Sequence, residues 1–255
     1  MDAPPSAAEL DALLAALELK DERRTGWDLR GVDDPETVAA HTWGVAYLCL
    51  LYADRVGGRV DGEGDGPPPE DATVDRDRAL RMAVLHDVAE AETGDVATRA
   101  DSTAETPDPA AKERRERAAM GSLLGPFSDE PELRDLWEEY EARETLTAAF
   151  VKDMDLVDMC LQALYYERAE RYEPGESDAF AEYDRLDEFF ATAEPRLRTD
   201  VGHALYRAIR ERYERVRDER GHPGDDRDHS GDAATDDTDD AATHDLATDD
   251  TDRGT

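Results

Sequence analysis

The sequence predicts an all-α protein, and three observations carry that expectation. Apolar residues recur at helical spacing in one stretch after another, and helix-start signals precede several of them. No run of strict apolar–polar alternation appears in the 255 residues. The segment 221–255 lies apart from this pattern. It holds 12 Asp and 2 Arg with almost nothing apolar, and so contributes -10 to the charge. It is expected to be a disordered acidic tail behind a helical domain spanning 1–220.

Taken in order, Ser6-Ala7-Ala8-Glu9 reads as a capping box. Leu10, Leu13, Leu14 and Leu17 then make one helical face that runs to about Asp21. A polar segment follows, Arg23-Arg24-Thr25-Gly26-Trp27. Asp34-Pro35-Glu36 has the form of a helix start, with Asp as N-cap, Pro in the first position and acid in the first turn. That helix continues through Val38, His41, Val45, Leu48 and Leu51 to Gly57-Gly58. Residues 57–74, rich in Gly, Pro and Asp, are expected to form a flexible surface loop. A helix is expected over 75–91 with Leu80, Val84, Leu85 and Val88 inward, and two more over 109–124 and 130–143. A long one begins near Thr145, with Phe150, Val151, Met154 and Val157 on a broad apolar face. The last two fall near 177–192 and 195–217.

Composition narrows the partners. Hydrophobic residues are 39% of the chain and charged residues 37%, with a formal net charge of -35. Such a chain repels nucleic-acid backbones and anionic membranes. Its lysines are only Lys20, Lys112 and Lys152. An acidic, lysine-poor surface suits high salt, where self-repulsion is screened, so a salt-loving cytoplasm is expected. Cys49 and Cys160 lie in apolar helical runs and read as buried reduced thiols. No apolar run approaches the roughly 18 residues of a membrane span, and no signal peptide is visible.

The stretch from Met82 to Asp95 interrupts an apolar helix with His86, Asp87 and Glu90. Buried polar groups are costly unless paired or bound to metal. His41 falls on the apolar stripe of its own helix, and Asp155 on or beside the buried face of the long one. Singly, each has a bland reading: a buried His can bond a carbonyl, and an Asp can pair with an Arg. Together, two imidazoles and two carboxylates suit a divalent first-row metal such as Mn, Co, Ni or Fe, or Mg, with open positions for water and substrate.

The order His41, His86-Asp87, Asp155 resembles the H…HD…D signature of HD-domain metal phosphohydrolases. Arg24-Thr25-Gly26-Trp27, Pro35-Glu36-Thr37-Val38-Ala39-Ala40-His41, the His86–Asp95 stretch and Phe150-Val151-Lys152-Asp153-Met154-Asp155 resemble the 5′-deoxynucleotidase branch, over roughly residues 10–190. The chain departs from the branch at Ala40, at the 57–74 loop and in the acidic tail. The resemblance implies an HD-domain helical bundle that hydrolyses deoxyribonucleoside 5′-monophosphates as a homodimer. Within it Glu90, four residues after His86, orients or deprotonates the attacking water. Glu90 and Asp95 are expected to be catalytic, either as a layer that handles the attacking water or, with the Val96 carbonyl, as a place for a second ion, and one ion or two stays open. Arg24 pairs with the substrate phosphate and Trp27 borders the sugar. Aromatics between 177 and 217 are expected to supply an interface. The competing readings are an HD phosphohydrolase for a triphosphate, alarmone or cyclic nucleotide, and a metal-bound helical binding protein without turnover.

Overall fold

The structure is a computed structural model that describes residues 4–56, 73–97, 108–174, 183 and 185–221. The 57–74 loop, apart from Thr73 and Val74, and the tail beyond Gly221 lie outside the described residues.

A long central helix, residues Leu146–Ala169, organises the rest. Val151, Met154, Val157, Cys160 and Ala163 on it have no exposed surface. A helix apolar on nearly every side has to be enclosed by others. In chain order the helices are α1 (Ala7–Ala16), α2 (Thr25–Leu29), α3 (Val38–Tyr52), α4 (Arg76–Leu85), α5 (Glu90–Thr93), α6 (Pro109–Leu124), α7 (Glu130–Ala142), α8 (the central helix), α9 (Asp187–Ala193) and α10 (Asp200–Gly221). Helices α3, α4, α7, α9 and α10 pack directly on α8, while α6 packs on α1, α5 and α7. No strand is present among the described residues, though Arg23 and Thr37 form an isolated antiparallel bridge. Nor is any helix among them long and apolar enough to cross a membrane. Cys49 and Cys160 are buried free thiols, as expected.

Local signals account for the helix starts. Ser6 and Glu9 make both halves of the capping box. Asp75 accepts from the Arg78 N–H, and Thr145 from the Ala148 N–H. The start of α10 is tied to α8 instead. The buried Asp153 carboxylate accepts from the Thr199 backbone N–H at 2.7 Å and its hydroxyl at 2.6 Å, and from the Arg198 N–H at 3.0 Å.

Several expectations are corrected. The helix expected over 75–91 ends at Leu85. Val88, Glu90 and Ala91 donate to carbonyls three residues back, which tightens the chain into a turn before α5. His86 and Asp87 therefore stand on a turn, not in mid-helix. Val84, expected inward, is 55% exposed, and Ala79, Met82 and Ala83 fill the core there. Helix α3 starts at Val38 under a Thr37 cap, not at Asp34. The backbone of Glu36 is already engaged, its N–H with the Tyr166 hydroxyl and its carbonyl with the Arg24 N–H. It cannot join a first helical turn. Of the helix expected near 177–192, the described residues show α9 from Asp187, while 177–182 and 184 lie outside them. Helix α10 begins at Asp200 rather than 195 because its first turn is built on Asp153. The leucine face of α1 points to solvent: Leu10, Leu13, Leu14 and Leu17 are 47–62% exposed. Of the 177–217 aromatics expected to supply an interface, Phe189, Phe190, Tyr206 and Tyr213 are core residues, and Phe180 lies outside the described residues.

Candidate metal centre

His41 lies one turn beyond the Thr37 cap on the buried face of α3, with no exposed surface. Helix α8 brings Asp155 Oδ1 to 3.1 Å from His41 Nε2, and Asp158 Oδ2 to 2.8 Å from His41 Nδ1. The turn after α4 supplies His86, whose Nδ1 is 2.8 Å from the Ala83 carbonyl. A carbonyl only accepts, so Nδ1 donates and His86 Nε2 keeps its lone pair. The two Nε2 atoms face each other at 3.4 Å. Asp87 Oδ2 is 3.0 Å from His86 Nε2 and 3.8 Å from His41 Nε2. Ligand atoms about 2.1 Å from a first-row ion, at right angles, stand about 3 Å apart. These separations are of that size. The ligand atoms of His41, His86 and Asp155 all lie within 4.8 Å of one another, as do those of Glu36, His41 and Asp158 on the other side of the ring, and Asp87 stands beside the first group.

The electrostatics agree. Burial and Arg24 both oppose a charge on His41, yet its bonds to Asp155 and Asp158 outweigh them and push its pKa up to about 10. Burial opposes ionisation of Asp87 and Asp155 too. Asp87 is nevertheless held well below the usual carboxylate range by His86, Arg24 and His41, and Asp155 by Lys152, His41 and His86. Lys152 Nζ and the Tyr140 hydroxyl both donate to Asp155 Oδ2, at 2.5 and 3.0 Å. Glu90 behaves oppositely: burial, then the charges of Asp87 and Asp95, push it up to about 10. Its Oε2 is buried without a hydrogen-bond partner. A buried polar atom left so is stabilised by a cation or a cation-held water.

The other expected residues surround this cluster. Arg24 Nη1 lies 3.2 Å from Asp87 Oδ2 and 3.6 Å from Asp95 Oδ1. Gly94, at φ +74°, turns the chain so that Asp95 Oδ2 accepts from the Thr25 N–H at 2.6 Å. The Asp95 carbonyl accepts from the Thr25 hydroxyl, and its N–H donates to Glu22. Asp95 thereby fixes the segment carrying Arg24. Trp27 is both core and site. It is 1% exposed, its Nε1 donates to Glu36 Oε1 at 2.9 Å and its ring packs on Phe189, while its edge lines a pocket with Arg24, Glu90, Asp95 and Val96.

Four residues beyond the expected set belong to this region: Asp158, Glu36, Lys112 and Lys152. Lys112 and Lys152 line the pocket. They are two of only three lysines in the chain, and that rarity was the available signal. Asp158 follows Asp155 by one helical turn, a spacing that also marked it.

Imidazoles and carboxylates gathered at the centre of an all-helical frame define the class: a helical protein with a centre for a divalent cation. The chain belongs to the HD-domain family, whose model matches residues 16–64 and 67–197. It is 39% identical over 165 residues to the 5′-deoxynucleotidase HDDC2 of Xenopus laevis, covering 64% of this chain and 71% of that protein. To the 5′-deoxynucleotidase HDDC2 of Danio rerio it is 31% identical over 202 residues, covering 78% and 84%. Among solved structures, the PH0347 protein of Pyrococcus horikoshii OT3 superimposes with a TM-score of 0.57 at 28% identity, covering 81% of this chain and 99% of that one.

Proposed function

We propose that the protein hydrolyses deoxyribonucleoside 5′-monophosphates to deoxynucleoside and phosphate, with His41, His86, Asp87 and Asp155 holding a divalent cation such as Mn, Co or Mg. The observation that carries this reading is the pair of Nε2 atoms 3.4 Å apart beside Asp155, Asp87 and the partnerless Glu90 oxygen. The activity named for the relatives supplies the substrate. A bound cation would lower the pKa of a coordinated water and polarise the phosphoryl oxygens.

The chain's own groups do the remaining work. With a cation held beside it, offsetting the burial and the charges of Asp87 and Asp95 that keep it protonated, Glu90 would accept the proton of the attacking water. Its Oε2 has no competing protein donor among the described residues. Arg24, held between Asp87 and Asp95, presents a planar fork to the phosphate. Trp27 offers the sugar a hydrocarbon edge, since Glu36 takes its N–H. Lys112 and Lys152 counter the repulsion that a -35 chain exerts on an anionic substrate. A second ion on Glu90, Asp95 and the Val96 carbonyl is the weaker arrangement. Asp95 Oδ2 already accepts from Thr25, and Oδ1 faces Arg24.

The test is phosphate release from a panel of deoxyribonucleotides and ribonucleotides, with Mn or Co, in high salt. Deoxyribonucleoside monophosphates are expected to exceed their ribose counterparts in kcat/KM by at least about tenfold. Equal rates would leave the hydrolysis and overturn the sugar selectivity. Release from triphosphates or cyclic nucleotides alone would move the substrate class, and release from none would end the enzymatic reading.

A cytoplasmic homodimer belongs to the same proposal. The two buried thiols accord with a reducing compartment. Trp43, Tyr47, Leu50 and Leu51 form an exposed stripe along α3, with Trp43 and Tyr47 stacked at 5.3 Å. An apolar stripe can be self-complementary, as a two-fold contact requires. Light scattering is expected to give twice the 28.3 kDa chain mass, and Tyr47→Glu to halve it. A monomer at all concentrations would refute the dimer.

A further inference from the structure

His41 is the one proposed ligand with both functional atoms held by carboxylates of a single helix. Asp155 and Asp158 stand three residues apart on α8, on one face, and the imidazole lies between them. A neutral imidazole has one N–H and one lone pair, and only the lone pair can bind a cation. An ionised carboxylate only accepts. Without a cation both ring nitrogens face a carboxylate, Nδ1 at 2.8 Å from Asp158 and Nε2 at 3.1 Å from Asp155. With a cation shared between Nε2 and Asp155, Nε2 gives up its proton and the one that remains sits at Nδ1, facing Asp158. Nε2 is the atom that faces His86 Nε2 and Asp155 Oδ1.

The opposite wall of this contact is shaped to permit it. Gly44 stands three residues after His41 on α3. A Cβ built there would lie 2.2 Å from Asp158 Oδ1 and 2.8 Å from its Cγ, closer than atoms can approach. Any other residue would push the carboxylate off the ring. Glycine within a helix is destabilising relative to alanine, and Gly44 needs no unusual backbone angle, so the space it leaves is what it provides. His86 is oriented differently, by the neutral Ala83 carbonyl. The two imidazoles are therefore unequal. A carboxylate on the far nitrogen makes the near nitrogen the stronger donor to a cation.

We propose that Asp158 is a positioning residue, seated by the gap at Gly44, which sets the tautomer of His41 and strengthens Nε2 as a ligand for a divalent cation. The inference rests on the metal-centre reading above and concerns affinity, not turnover.

Calorimetric titration of Mn into metal-stripped protein tests it. Asp158→Ala is expected to weaken binding by about 10- to 100-fold with helical circular dichroism unchanged. Asp158→Asn, whose carbonyl can still accept from Nδ1, is expected to lose less. Gly44→Ala, which alters no polar group, is expected to fall with Asp158→Ala. Affinity for Asp158→Ala equal to that of the unaltered protein would overturn the inference and leave the centre standing. Failure of the unaltered protein to bind any divalent cation would overturn the centre and this inference with it. A zinc-loaded sample with 15N-labelled histidine needs no variant. His41 is expected to carry its proton on Nδ1 and the metal on Nε2, and the reverse assignment overturns the proposal even if Asp158→Ala fails to fold.

Discussion

Asp87→Ala is expected to reduce phosphate release by at least about 10³-fold, on the order of 4 kcal/mol of transition-state stabilisation. Two losses coincide at this position. Asp87 is one of the four proposed ligands, 3.0 Å from His86 Nε2, and it also anchors Arg24 at 3.2 Å. Its removal loosens both the cation and the phosphate clamp. Fold stability is expected to change little, because Asp87 sits on a turn at the pocket and not in the apolar core. Steady-state kinetics with a thermal melt on the same sample checks both points. Activity that survives Asp87→Ala would remove this centre from the reaction.

Glu90→Gln is expected to lower kcat by about 10²- to 10⁴-fold, the range of a positioned general base, while cation binding persists. The same substitution is expected to stabilise the metal-free protein. Glu90 is pushed up to about 10 in the fold by burial and by Asp87 and Asp95, against an ordinary value of 4.5. Folded protein then holds a proton that unfolded protein releases above pH 4.5. The stability this group contributes is whole below that pH and is lost as pH rises toward 10. Gln carries no such charge. At pH 8, without metal, Glu90→Gln is expected to melt above the unaltered protein, with the gap closing toward pH 4.5. A gap that widens on acidification would contradict the buried, charge-crowded environment assigned to Glu90.

The helical frame was legible because its signals are local. Capping boxes, Asp and Thr caps and a 3.6-residue apolar period act within a few positions, so α1, α6, α7 and the start of α8 lie where residue order places them. The misplaced boundaries depend on distant partners. Thr37 displaces Asp34 as a cap because Tyr166 and Arg24 occupy the Glu36 backbone, more than a hundred residues away in the case of Tyr166. The break after Leu85 contains neither Gly nor Pro, so nothing local announces it.

The site divides in the same way. His41, His86, Asp87 and Asp155 were visible as polar groups on apolar helices, and the structure brings their ligand atoms within 3.0–3.8 Å of one another pairwise where they touch. Asp158 and Glu36 passed unnoticed because each works through another residue, the one on His41 and the other on Trp27. Such roles are set by three-dimensional contact and leave only a faint trace in spacing. The chain's acidity raised an objection to an anionic substrate. The placement of Lys112 and Lys152 at the pocket answers it with two of the three lysines the chain possesses.

The most direct measurement is phosphate release from a deoxyribonucleoside 5′-monophosphate by chelator-stripped protein in high salt, before and after Mn is restored. Release is expected to be absent from the stripped protein and to return on addition of the ion. A stripped protein that hydrolyses at the full rate would contradict a catalytic centre built on His41, His86, Asp87 and Asp155.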